Sequence, residues 1–263
     1  MSNMRRKTFM RRKTFVAAVV LSFCAAALCA SDVPADKAKF HVFLLVGQSN
    51  MAGRGVLDKT NRVSAERVLK LDASGKWVSA VEPLHYDKKI AGAGLGASFA
   101  RAVADADASI TVGLVPVAVG GTGIDRWVEG GDLWSNAVAR TRIALKSGTL
   151  KGILWHQGES DASSAKRTAQ WGKKFKSMIE SFRREFGEVP FIAGELGHYF
   201  DERKCRWREI NAQLHRLEGV VSGYLVVPSE GLKAKSDNVH FDTRSLREFG
   251  RRYAEAYKRL TAK

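Results

Sequence analysis

Cysteine is nearly absent from this chain. Of three cysteines in 263 residues, Cys24 and Cys29 lie in an apolar stretch near the start, which leaves Cys205 alone. One cysteine cannot close an internal disulfide, so stability must come from a packed core. Proline is also scarce, at five residues, and no Pro-rich linker, low-complexity tract or internal repeat follows residue 30. Disorder and coiled coils are excluded by composition, because 45% hydrophobic and 27% charged residues is an ordinary globular balance. The length suits one mid-sized domain with a full core.

The first thirty residues stand apart. "MSNMRRKTFMRRKTF" is basic, has no acid and carries "MRRKTF" twice; "VAAVVLSFCAAALCA" is apolar and ends in small residues. That is the pattern of a secretory signal. The apolar run is shorter than the roughly 20 residues a membrane span needs. Cleavage is expected after Ala30, giving a signal peptide over 1–30 and one domain over 31–263. The product is expected to be exported, periplasmic or secreted, with no stable membrane insertion. Removing six basic residues leaves 37 basic against 27 acidic, a net charge of +10. These charges are spread along the chain with no nucleic-acid motif, so a solvated basic surface is expected and no nucleic-acid partner.

What the chain does have is alternation. "KFHVFLLV", "ITVGLVPVAVGG", "KGILWHQG", "PFIAGELG" and "GYLVVPS" read as buried strands, and "RVLKLDASGKWVSA" as a strand entering a hairpin turn at Ser74-Gly75. Between them "GLGASFARAVADAD", "LWSNAVARTRIALKSG", "SSAKRTAQWGKKFKSMIESFRREFG", "DERKCRWREINAQLHRLEG" and "SLREFGRRYAEAYKRL" carry helical spacing. Short apolar strands alternating with helices predict an α/β fold with a mostly parallel sheet covered on both faces. Ligands in such sheets bind beyond the carboxyl ends of the strands. Three polar or glycine turns follow strands: Gly47–Asn50, Gly120–Thr122 and His156–Glu159.

Ser49 sits in the first of these turns. A serine hydroxyl is a weak nucleophile without a base, and histidine is the side chain best suited to that task. Of six histidines, His240 has the most informative setting, "SDNVHFD", with Asp237 three residues before it. That spacing lets a carboxylate orient an imidazole; it equally fits Asp237 and Asp242 capping turns. Oxyanion donors can be nominated from the Ser49 amide at a helix start, the amide of Gly121 or Gly120, and the Gln157 side chain. His156 and Glu159 have an H-x-x-E spacing, but no second clustered pair supports a metal, and no cofactor is expected. Trp127, Trp134 and Trp155 fit either a sugar cleft or the core. Arg54 and Arg126 fit either contact with an acidic sugar or structural ion pairs.

Taken in order, the blocks "GQSNM" (47–51), "VGGTGIDRW" (119–127), "WHQGESD" (155–161) and "DNVHF" (237–241) resemble the SGNH (GDSL-like) hydrolase superfamily. Within it they resemble the branch of sialate O-acetylesterases and carbohydrate esterase family 6 acetylxylan esterases. The resemblance implies a three-layer α/β/α sandwich with a central, mostly parallel, flavodoxin-like sheet. It implies Ser49 as nucleophile, His240 as base and Asp237 as orienting acid, with Ser49, Gly121 and Gln157 forming the oxyanion hole. Glu159 is the alternative acid. Gln48, Asn50, Gly120 and Arg54 are candidates for substrate contact. The Gly-x-Ser-x-Gly elbow of α/β-hydrolases is absent. The expected activity is removal of O-acetyl groups from a glycan partner. A broad small-acyl esterase or lipase, or a non-catalytic glycan-binding protein, would use the same scaffold.

Overall fold

A computed structural model describes residues 33–58 and 65–262. The expected signal peptide lies outside the described residues. Seven strands form one sheet: β1 (Phe40–Gly47), β2 (Val68–Leu71), β3 (Trp77–Ser79), β4 (Thr111–Pro116), β5 (Thr149–His156), β6 (Phe191–Gly194) and β7 (Tyr224–Val227). Their order is β3-β2-β4-β1-β5-β6-β7, and every pairing is parallel except the β2–β3 hairpin. The helices are α1 (Ser49–Ala52), α2 (Leu95–Ala106), α3 (Asp132–Ala144), α4 (Glu159–Ala162), α5 (Ala165–Phe186), α6 (Trp207–His215) and α7 (Thr243–Thr261). Among the described residues no helix is long and apolar enough to cross a membrane.

Side chains alternate across a strand, and β1 shows why the sheet is covered twice. Val42, Leu44 and Val46 face a core built with α3, α5 and α6, whereas Phe43 and Leu45 face one built with α2 and α7. On α5, Trp171, Phe175, Met178, Ile179 and Phe182 recur at helical spacing and are fully buried. Trp171 stacks on Phe175 at 4.6 Å, and Phe175 lies 5.6 Å from Trp155. Each such side chain contributes about 1.5–3 kcal/mol on burial. Truncating Phe175 to alanine is expected to cost about 3–5 kcal/mol through the cavity it leaves. On α7, Leu246, Phe249 and Tyr253 repeat the pattern against the other face. Its start is fixed by Asp242, whose carboxylate accepts the Ser245 amide at 2.7 Å.

The expected hairpin turn is present, closed by the Asp72 and Lys76 backbones at 2.8 Å. One expected helix is shorter than its pattern. Residues 201–206 form turns before α6, because the Asp201 side chain accepts the Arg203 amide at 3.0 Å and so competes with helical bonding. Trp127 and Trp155 are fully buried and pack edge to face at 5.7 Å, and Trp134 packs on the same core. Trp127 and Trp155 are thus core residues.

The strand order reverses direction of growth at β1, with β4 on one side and β5 on the other. Ligands in open α/β sheets bind at such a switch point. The turns after these three adjacent strands carry the candidate residues.

Candidate active site

The three turns are stitched together by their backbones. The Gln48 amide donates to the His156 carbonyl at 2.8 Å, and the Val119 amide to the Gly47 carbonyl at 3.0 Å. Gly47 has φ +130°, and a Cβ there would lie 2.1 Å from the His156 carbonyl oxygen, so only glycine lets β1 and β5 close in this way. Ser49 follows as the first residue of α1. A Cβ on Gly120 would fall 3.3 Å from the Ser49 Cβ, which places the glycine turn after β4 directly against the serine.

Ser49, 7% exposed, meets the loop ahead of α7. His240 Nε2 lies 3.0 Å from Ser49 Oγ, and His240 Nδ1 lies 2.8 Å from Asp237 Oδ2. The partners set the tautomer: the hydrogen on Nδ1 goes to the carboxylate, and Nε2 accepts from the hydroxyl. Asp237 Oδ1 also accepts the Val239 and His240 amides at 3.0 and 2.9 Å, and Lys235 Nζ lies 3.1 Å from Oδ2. Both readings of Asp237 therefore hold, since it closes the turn and faces the imidazole. Burial alone would raise its pKa, but these donors outweigh burial and hold the carboxyl well below the usual range. The amides of Ser49 and Gly121 have no acceptor among the described residues. A hydroxyl, an imidazole and a carboxylate thus form one run, and two amides of the adjoining turns have no acceptor among the described residues, a set able to carry acyl transfer.

Four expectations need correction. Gln157 does not face Ser49's surroundings with a free amide. It is fully buried, its Nε2 donates to the Thr122 carbonyl at 2.9 Å and to Asp161 Oδ2 at 2.6 Å, and its Oε1 accepts from Trp171 Nε1 at 2.9 Å. No hydrogen is left for an oxyanion. Arg54 is not available to substrate either. It pairs with Asp87 at 2.6 Å, with both side chains buried, and also donates to the Gly53 carbonyl at 2.7 Å. The Gly120 amide is held by Asp87 Oδ2 at 2.8 Å, which leaves Gly121 as the free donor of its turn. Asn50 is 1% exposed and bonded within the chain rather than facing a ligand.

Gln48 Oε1 accepts the Ser160 amide at 3.3 Å. Glu159 Oε1 accepts from Asn50 Nδ2 at 2.7 Å and lies 3.6 Å from His156 Nδ1. Arg126 is exposed and paired with Asp132 at 2.5 Å. Among the described residues no group of three His, Cys, Asp or Glu side chains is placed to hold a metal. Asp161 receives the Ile124 amide at 2.9 Å beside Gln157. Sequence reasoning missed Asp87 altogether. Its neighbourhood, "HYDKK", has no motif; burial pushes its pKa up, but Arg54 and the Gly120 amide more than reverse this.

A family model described as carbohydrate esterase, sialic acid-specific acetylesterase, matches residues 39–259. The chain belongs to this family. It is similar to a probable carbohydrate esterase of Arabidopsis thaliana, 34% identical over 242 residues that cover 82% of this chain and 89% of the relative. An X-ray structure of an Arabidopsis thaliana protein superposes with a TM-score of 0.76 at 32% identity, covering 82% of this chain and 97% of that one. A carbohydrate acetylesterase of Xanthomonas citri shares the fold, with a TM-score of 0.63 at 20% identity over 83% of this chain and 56% of its own. The chain is a carbohydrate acetylesterase with an SGNH-type α/β fold, as the four blocks implied.

Proposed function

We propose that this carbohydrate acetylesterase is an exported serine esterase that removes O-acetyl groups from glycans through an acetyl-enzyme on Ser49. The observation that carries the reading is the run Ser49 Oγ–His240 Nε2–His240 Nδ1–Asp237 Oδ2, with steps of 3.0 and 2.8 Å between residues. Ser49 Oγ attacks the acetyl carbonyl carbon while its proton passes to His240 Nε2. The resulting oxyanion takes hydrogen bonds from the Ser49 and Gly121 amides. Collapse expels the sugar oxygen, which takes the proton from His240. Water then attacks the acetyl-enzyme, gives its proton to the same nitrogen, and acetate leaves as Ser49 recovers a proton. Asp237 holds the tautomer and stabilises the imidazolium formed in each half. The Ser49 amide is at a helix start, where backbone donors lack intrahelical partners.

The substrate class is an O-acetylated glycan, with O-acetylated sialic acids first to be tried because of the family and acetylated xylan second. Export rests on the basic-then-apolar leader of residues 1–30, and fractionation of expressing cells checks it. The deciding experiment is acetate release from both glycans by wild type beside Ser49→Ala. Release by wild type alone is expected. A Ser49→Ala protein that folds and keeps more than a few per cent of the rate would end the proposal.

A further inference from the structure

Asn50 adjoins Ser49 in the chain and reaches the far side of the site. Its Oδ1 accepts the Phe241 amide at 3.1 Å, and its Nδ2 donates to the Val239 carbonyl at 3.3 Å. These two residues flank His240, so one planar amide grips the backbone on both sides of the histidine. The orientation of that amide is fixed by its partners, because a peptide N–H only donates and a carbonyl only accepts. Tyr199 Oη adds a second donor to the Val239 carbonyl at 3.2 Å.

The other hydrogen of Asn50 Nδ2 goes to Glu159 Oε1 at 2.7 Å. Glu159 makes no bond to His240, whose ring nitrogens face Asp237 and Ser49. Behind Glu159 is His156, fully buried between the rings of Phe241 and Phe249 at 5.8 and 5.5 Å. His156 Nε2 meets the Glu195 carbonyl at 3.1 Å and so carries the hydrogen. His156 Nδ1 and Glu159 Oε2 are both buried without a hydrogen-bond partner among the described residues. The hydrogen bond that Glu159 does accept in this buried place is Asn50's.

We propose that Asn50 is a positioning residue that sets the distance between Ser49 and His240, and that Glu159 acts on the reaction through Asn50 and not on the imidazolium. The proposal rests on the esterase reading above. Ser49 and His240 come from segments 191 residues apart, and their 3.0 Å contact depends on how two loops are joined. A misplacement of about 1 Å at a reacting pair costs roughly 10²-fold in rate. The Asn50 amide is the strut across that joint, and the Glu159 carboxylate stops the strut from rotating.

Glu159→Gln separates positioning from charge. Its carbonyl oxygen still accepts from Asn50 in place of Glu159 Oε1, and its negative charge is gone. Positioning predicts kcat within about threefold of wild type, with KM and the pH profile unchanged. Glu159→Ala should lower kcat by about 10²-fold at constant KM. Asn50→Asp removes the donor and turns an acceptor toward Val239 and Glu159, so a similar loss in kcat at constant KM is expected. The low-field proton resonance of His240 Nδ1–H should persist in Glu159→Gln and vanish in Asp237→Asn. A Glu159→Gln enzyme that folds and is as slow as Asp237→Asn, near 10⁴-fold down, overturns the proposal, since that is the signature of the acid behind the base. Full activity of Asn50→Asp overturns it equally. If Glu159→Ala does not fold, the two near-isosteric variants decide alone. Failure of the esterase reading looks different: an active Ser49→Ala.

Discussion

Two polar clusters lie side by side at the ends of β1 and β5, and they differ in what is left unpaired. Around Gln157, the amide, Asp161, Thr122, Trp127 and Trp171 are bonded to one another, with Trp127 Nε1 on Thr122 Oγ1 at 3.1 Å closing the set. Around Ser49, two amide hydrogens have no acceptor among the described residues, and a hydroxyl faces an imidazole. The residue types are alike, yet the first cluster is a buried joint and the second is a place where new charge can be received. At strand ends, chemistry follows the open hydrogen-bonding positions more than the polar residues themselves.

The comparison can be broken most sharply at Ser49. Ser49→Ala should reduce kcat on an aryl acetate by about 10⁶-fold while the melting temperature stays within a few degrees. Next comes Asp237→Asn, which keeps the turn's shape but favours the wrong tautomer of His240; kcat should fall about 10⁴-fold. A loss below tenfold would remove Asp237 from the relay.

The joint should respond in the opposite currency. Gln157→Ala strips partners from Asp161, Trp171 and Thr122, and leaving buried groups unsatisfied should cost about 3 kcal/mol of stability. For a chain of this size that is a fall of roughly 6–12 °C in Tm. kcat at 25 °C should stay within about tenfold. A loss of 10²-fold or more at unchanged Tm would restore Gln157 as an oxyanion donor, which is what such a donor costs.

The smallest effect concerns pH, and it sharpens the contrast between buried and partnered histidines. Burial lowers the pKa of His156 and of His85, the latter to about 4. The unfolded chain, near 6.5, takes up protons that the fold refuses, so these two make stability fall as pH drops from about 6.5 toward 4. His215 behaves inversely. Burial alone would lower it, but Glu218 Oε2 at 2.7 Å and Glu195 Oε1 at 2.8 Å outweigh burial and raise its pKa. Its stabilisation is full below about pH 6.5 and disappears as pH rises through the folded value. His215→Gln should therefore lower Tm more at pH 5.5 than at pH 8.5. Equal losses at both would show that the carboxylates do not stabilise its charge.

Much of this was legible because the residues that carry chemistry directly follow apolar strands. "KFHVFLLV" leading into Gly47–Asn50 told both the strand and the place of Ser49, and Asp237 was found by its spacing to His240. What stayed hidden depends on contacts between distant segments. The direction of the Gln157 side chain is decided by Trp171 on α5, fourteen residues away. Arg54 is committed by Asp87 across 33 residues, and Asn50 meets Phe241 across 191. No local pattern encodes such partners. The correct order of the blocks gave the fold and family, while the corrections at the site fell on which donors remain free.

The position of α7 has one more consequence. The loop with His240 leads straight into this helix, which docks through Leu246, Phe249 and Tyr253, with Tyr253 Oη on the Trp155 carbonyl at 2.7 Å. A ribosome makes Ser49 before it makes His240 and α7. Until α7 seats against the sheet, the serine is an ordinary alcohol beside an unfinished wall. The proposed Ser49–His240 pair is therefore complete only once α7 has docked.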